Sequence, residues 1–139
     1  MNQRQDTGAL YGQYVAKMQK IADLRYAGAV LEWDQETYLP ARGAEIRARQ
    51  LATLASQAHE MFTAPAMGAL LEELDGHQEL GGPERANVAR SLEDYRSQSK
   101  YPAAFVEELS MATSESYHAW MEARKKNDFR VFSPALSVM

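Results

Sequence analysis

The feature that most constrains this chain is the spacing of its apolar residues, which recurs at three and four positions and never alternates over a strand-length run. From about Asp6 to Tyr38 the repeat runs through Leu10, Tyr14, Met18 and Ile21, then shifts phase into Leu24, Ala27, Val30, Leu31 and Trp33. The shift predicts two helices, or one kinked helix, changing near Asp23 to Gly28. Pro40 and Gly43 close the stretch, because a proline pushes its predecessor out of the helical region and glycine tolerates the turn.

A second helix is expected over Ala44 to Phe62, with Arg47, Leu51, Leu54, Ala55, Ala58 and Phe62 along one side. A short third helix follows Pro65 and carries Leu70, Leu71 and Leu74. Asp75 and Gly76 should stop it, with the glycine in a left-handed cap. After a polar loop from His77 to Gly82, a fourth helix starts at Pro83 with Glu84 at its positive end. It packs through Val88, Ala89, Leu92 and Tyr95 and ends near Lys100. The fifth starts at Pro102 and lines up Phe105, Leu109, Ala112, Ser116, Trp120 and Ala123, with Lys125 and Lys126 at its negative end. Ser133 and Pro134 read as the cap and first turn of another helix, begun shortly before Met139 and unfinished, as a fragment would show. Short connections favour antiparallel neighbours. The expectation is an all-α antiparallel array of about five to six helices, forming a single domain over 1–139.

Composition narrows the function. A length of 139 residues with 45% hydrophobic and 24% charged residues suits one soluble globular core. The net charge is -4, and basic residues are scattered outside the cluster around Lys125 and Lys126, which argues against nucleic acid as a partner. With no cysteine there is neither disulfide nor thiolate chemistry, a usage that suits a cytoplasmic location. The segment MNQRQDTG has no apolar core of a secretory signal, and no apolar run approaches the roughly 18 residues of a membrane span.

Candidates for chemistry are few. The segment His59, Glu60, Met61, Phe62, Thr63 imitates the zinc-protease pattern H-E-x-x-H, in which two imidazoles one turn apart share a metal, but Thr63 stands where the second imidazole belongs. His59 then reads as part of a polar helix terminus. Glu115 and His118 form one half of the paired E-x-x-H arrangement that holds two metal ions in helical bundles. The other half is missing, which leaves an exposed pair beside Trp120. In LEWDQETYLP, Glu32 and Glu36 share a helix face while Asp34 points elsewhere, so no carboxylate pair converges for acid and base work. Trp33 reads as a core residue, with groove lining as the alternative. Arg42, Arg47 and Arg49 can form an ion-pair network with these acids or remain on solvated helix faces. Gly81 and Gly82 lack both the spacing and the lysine of a phosphate loop. The residues alone therefore assign no catalytic group and no metal ligand.

Two separated runs carry a resemblance. The first holds Trp33, Asp34, Gln35, Glu36, Thr37, Pro40, Gly43, Arg47 and the pair His59, Glu60. The second holds Trp120, Ala123, Arg124, Asn127, Asp128, Phe129, Phe132, Pro134 and Leu136. Together they closely resemble the amino-terminal region of the carboxypeptidase Taq family of metallocarboxypeptidases. The resemblance implies a larger, soluble, mostly helical and commonly homodimeric enzyme that removes residues from peptide carboxyl termini with a divalent metal, zinc or cobalt. It also implies that the H-E-x-x-H helix and a further glutamate ligand lie in a catalytic part beyond this segment. His59 and Glu60 match the family's amino-terminal pair, so no ligand is carried over and no cofactor is expected on this chain itself. The expected partners are that catalytic part, peptide substrate and a second copy. The motif residues Trp33, Asp34, Gln35, Glu36, Thr37, Arg47, His59, Glu60, Trp120 and Arg124 are expected to line the groove or hold the structure. A freestanding helical interaction or dimerisation module and, more remotely, a metal-binding bundle are the competing readings.

Overall fold

The structure of the protein is a computed structural model that describes residues 3–138 of the backbone and the side chains of 6–138. Six α-helices follow one another: α1 Gln3–Thr37, α2 Ala44–Thr63, α3 Pro65–Asp75, α4 Gly82–Gln98, α5 Ala103–Lys126 and α6 Ser133–Val138. Single 3-10 turns at Ala41–Gly43 and Phe129–Val131 precede α2 and α6, and no strand occurs among the described residues. The all-α array expected from the apolar periodicity is the observed fold class.

The first helix differs from expectation. It runs unbroken through Asp23 to Gly28 as one helix of 35 residues. Nothing there removes a backbone donor, and a lone glycine weakens a helix by only about 1 kcal/mol. Thr7, Tyr14 and Ile21 are buried at seven-residue steps, and Gly28 and Gln35 continue the same face half-buried. The shifted phase is a second stripe on another side: Tyr26, Val30 and Trp33 are 71%, 64% and 58% exposed. Trp33 is therefore not a core residue; its ring meets Tyr38 edge-on at 5.6 Å.

The chain divides into two compact units, and both α1 and α2 contribute to each. One holds α1 up to Asp23 together with Ala58–Pro102. Its core is well filled: Ile21, Phe62, Met67, Leu71, Leu74 and Val88, the largest fully buried side chains, all belong to it. Helix α3 packs on α4, and Gly68 lets the two approach until the Tyr95 ring occupies the space a β-carbon would need. Glu84 accepts a hydrogen bond from the Gly81 N–H at 2.8 Å, which closes one orphan donor at the start of α4. Gly76 stays right-handed at φ -72°, not in the left-handed cap expected of it. Ala89 is exposed, and Leu80, inside the supposedly polar loop, is buried.

The other unit holds Leu24–Gln57 and the residues from Ala103 onward. Its buried residues are mostly small: Ala48, Ala52, Ser114, Ser116 and Ala123, with Leu51. Large apolar side chains remain in water, among them Tyr26, Val30, Trp33, Ile46, Leu109 and Phe129. Full burial of a large aliphatic or phenyl side chain is worth roughly 1.5–3 kcal/mol, and these forgo the share that stays in water. The expected face of α5 is only partly inside: Ser116 and Ala123 are buried, whereas Phe105, Leu109 and Trp120 are exposed. The apolar stripe is covered toward its carboxyl end, where α6 and the preceding 3-10 turn return onto α5. That return is made by Asn127 at φ +50°, with Asp128 N–H bonding the Ala123 carbonyl at 3.0 Å and Asn127 N–H that of Arg124 at 3.3 Å. The pattern satisfies two of the helix's last carbonyls and turns the chain back.

Candidate functional site

Of the first run, Trp33 to Thr37 and Arg47 lie together at the end of α1 and the start of α2, apart from His59 and Glu60 in the last turns of α2. Arg47 is the centre of this cluster, with a side chain only 12% exposed. Its Nη1 donates to Asp34 Oδ2 at 2.6 Å and to the Leu31 carbonyl at 2.7 Å, and its Nε donates to Gln50 Oε1 at 3.1 Å. The cation thus meets both a carboxylate and a carbonyl in the last turns of α1, where the helix dipole is negative. Among the described residues the expected network reduces to this one pair, with Arg42 and Arg49 exposed and outside it. Thr37 Oγ1 donates to the Trp33 carbonyl at 2.7 Å, a local bond at the end of the helix.

With Asp34 turned toward Arg47, Glu32, Gln35 and Glu36 line a cleft of about 410 Å³. Leu51 of α2 and the polar side of α5, Ser110, Thr113, Ser114 and Tyr117, complete its walls. Ser114 Oγ donates to Gln35 Oε1 at 2.7 Å and fixes that amide. A further cleft of about 430 Å³ shares Gln35, Glu36 and Tyr117 and adds His118, Met121 and Lys125. The α5 contribution escaped the sequence reading because serines and threonines beside an apolar stripe look like a solvated face. The residues able to reveal it were Ser110, Thr113, Ser114 and Tyr117 themselves, which share one side of α5.

The second run forms its own cluster. The Arg124 guanidinium lies 5.6 Å from the centre of the Trp120 ring, at cation–π distance. Asp128 accepts from Arg130 three times: from Nε at 2.9 Å, Nη2 at 2.8 Å and the backbone N–H at 3.0 Å. These bonds hold the Asp128 carboxyl below the ordinary aspartate range, with the Arg130 side chain the largest cause. Its partner Arg130 is raised by the same contact.

The three histidines are engaged in separate ways. His59 is buried at 7% exposure, and its Nε2 lies 2.7 Å from the Tyr101 carbonyl, so that nitrogen carries the proton. It is a strut from α2 to the link before α5 rather than a polar helix terminus; Thr63 Oγ1 donates to its carbonyl at 2.8 Å, and Glu60 is exposed. His77 Nδ1 lies 2.9 Å from Thr7 Oγ1, which also donates to Glu79 Oε2 at 2.9 Å. His118 is half-buried beside Tyr117 with a buried, unpartnered Nε2, so it is not the exposed half of a surface pair with Glu115. Among the described residues no group of three or more histidine or acidic side chains is placed to hold a metal.

Residues 13–139 match the family model of the carboxypeptidase Taq (M32) metallopeptidases. The chain belongs to that family. It is 35% identical over 131 residues to thermostable carboxypeptidase 1 of Thermus thermophilus, covering 92% of this chain and 26% of that protein. The solved structure of BsuCP superposes with a TM-score of 0.88 at 27% identity, over 92% of this chain and 26% of that one. The solved structure of CHT gives a TM-score of 0.69 at 56% identity, over 94% and 26%. The M32 chain described here thus spans about a quarter of the length of the curated relatives it matches. No helix among its described residues is long and apolar enough to cross a membrane.

Proposed function

We propose that this chain is the amino-terminal helical part of a metal-dependent carboxypeptidase that releases carboxyl-terminal residues from peptides. In this reading it walls or caps the substrate groove and supplies no metal ligand. The observation that carries the proposal is the match to the M32 family over 13–139, aligned with a quarter of relatives that are named carboxypeptidases. The donor set is consistent with the second half, because among the described residues no histidine stands in a group of three or more candidate ligands. The exposed stripe Tyr26, Val30, Trp33 supports a role in packing against a larger catalytic part. A wall that admits only chain ends would give such an enzyme its preference for termini. Zinc or cobalt as the metal, a homodimer and a cytoplasmic location belong to the same proposal.

The test is release of free amino acids from a peptide by this chain with added zinc or cobalt, measured beside a full-length relative. The expected result is release by the relative alone; metal-dependent turnover by this chain overturns the proposal. A second reading, a freestanding interaction or dimerisation module, is favoured by the same exposed stripe. Light scattering across a concentration series separates them, since a species monomeric throughout removes the support for self-association.

A further inference from the structure

The two compact units differ in what they leave in water. Among the described residues, every exposed large apolar side chain except Tyr101 belongs to the unit formed by Leu24–Gln57 and the residues from Ala103 onward. Of the apolar side chains that this unit buries, Leu51 alone is larger than alanine. The other unit holds all of the largest fully buried side chains, Phe62 and Leu71 among them. Burial of apolar surface is the main term that holds a folded unit together, so the poorly filled unit is the less stable of the two.

Its helices do not make up the difference. Leu24–Thr37 of α1, with Gly28 inside it, and Ala44–Gln57 of α2 are each no longer than the roughly 12–15 residues at which an isolated helix is marginal in water. Helix α5 is longer, but Phe105, Leu109 and Trp120 on its apolar side stay exposed. Polar ties hold the unit instead, Arg47 to Asp34 at 2.6 Å and Ser114 to Gln35 at 2.7 Å. Such bonds replace bonds to water, so each adds less than the burial of one large side chain would.

We propose that Leu24–Gln57 with the residues from Ala103 onward is a conditional fold: it opens as one body while Ala58–Pro102 and α1 up to Asp23 stay folded, and a cover over its exposed apolar sides keeps it closed. Opening breaks α1 between Asp23 and Leu24, inside a helix that is continuous in the structure, and α2 between Gln57 and Ala58. The Arg47–Asp34 and Ser114–Gln35 bonds dissolve with it, so the clefts they shape exist only in the closed form. The larger catalytic part as the cover is an identification that rests on the proposed function, whereas the separate opening rests on burial alone.

Native-state hydrogen exchange on this chain, read amide by amide by NMR across a series of low urea concentrations, tests the separate opening without reference to any peptidase activity. After division by intrinsic rates, the central amides of α5 should exchange at least about a hundredfold faster than those of α3 and α4, the scale of one or two large side chains left in water. The step should fall within α1, with high protection before Asp23 and low protection beyond Leu24. The faster amides should also depend less on urea, because their opening exposes less surface than complete unfolding does. Val88→Ala removes buried methyl groups from the other unit; it should speed exchange in α3 and α4 by about tenfold and leave α5 unchanged, since the opening of α5 does not disturb Val88. Uniform protection along α1, faster exchange of α5 in Val88→Ala, or a lack of protection in α3 and α4 overturns the proposal.

Discussion

Replacing Gly68 by alanine should destabilise the protein, and the reason lies in one ring. A β-carbon at Gly68 would sit 2.4 Å from Cζ and Oη of Tyr95 and 2.6 Å from its Cε1. The ring is rigid, so it must swing away as a block and give up its edge-on contact with Phe62, now at 6.3 Å and 70°. Lost aromatic pairing is worth about 0.5–1.5 kcal/mol, and forcing a methyl into a filled contact costs about 1–3 kcal/mol. Alanine returns about 1 kcal/mol through its better helix propensity and a less free unfolded chain. The net loss should be about 0.5–3.5 kcal/mol. In a Tyr95→Ala background the obstruction is gone and only the propensity gain remains, so the same Gly68→Ala change should stabilise by up to about 1 kcal/mol. Urea denaturation of the four proteins, followed by circular dichroism, measures both steps. The reversal of sign is the decisive quantity: an alanine that destabilises in both backgrounds, or stabilises in both, refutes the close approach of α3 and α4 as its cause.

Two further predictions concern the clusters built from motif residues. Arg47→Met keeps the stem but removes the bonds to Asp34, the Leu31 carbonyl and Gln50, so it should cost about 2 kcal/mol in denaturation; a loss under a few tenths would reduce the pair to an ordinary surface contact. The Asp128 carboxyl, held low by Arg130, should keep its clamp throughout the neutral range and lose it only as pH falls below about 4, through its lowered folded-state value. An NMR titration should place its midpoint above the wild-type one in Arg130→Gln, and an unchanged midpoint would dismiss the clamp.

How much of this was legible in the sequence depends on what each signal reports. Prolines and apolar spacing placed α2 to α5 closely, since Pro65, Pro83 and Pro102 start helices for local reasons that no tertiary contact overrides. Gly76 failed because an aspartate–glycine pair permits a left-handed cap without requiring one. That conformation instead fell to Asn127, whose short amide tolerates positive φ. Asp34 turning away from Glu32 and Glu36 followed from helical geometry, but its partner Arg47 stands on another helix, thirteen positions on, where three arginines competed. Thr7 with His77 and Glu79 was invisible for the same reason: a buried polar contact across some seventy positions leaves no periodic trace.

Trp33 is the most instructive miss. Periodicity identifies a side of a helix that avoids water; it does not say which neighbour provides the shelter. Along α1 there are two such sides, one through Tyr14 and Ile21 that this chain covers and one through Tyr26, Val30 and Trp33 that it leaves exposed. A helix apolar on two sides is stable in water only if both find partners. The contrast runs through the whole fold: the unit around Phe62 and Leu71 buries its large side chains, while the one around Leu51 buries small ones and displays large ones. The same composition that predicted a sufficient core was thus spent unevenly. The surplus apolar surface lies on the unit that also carries the Arg47 cluster, the clefts and the Trp120 cluster. A surface so placed is what a part built to be covered by a larger body would carry, and the proposed groove-walling role needs a surface of that kind.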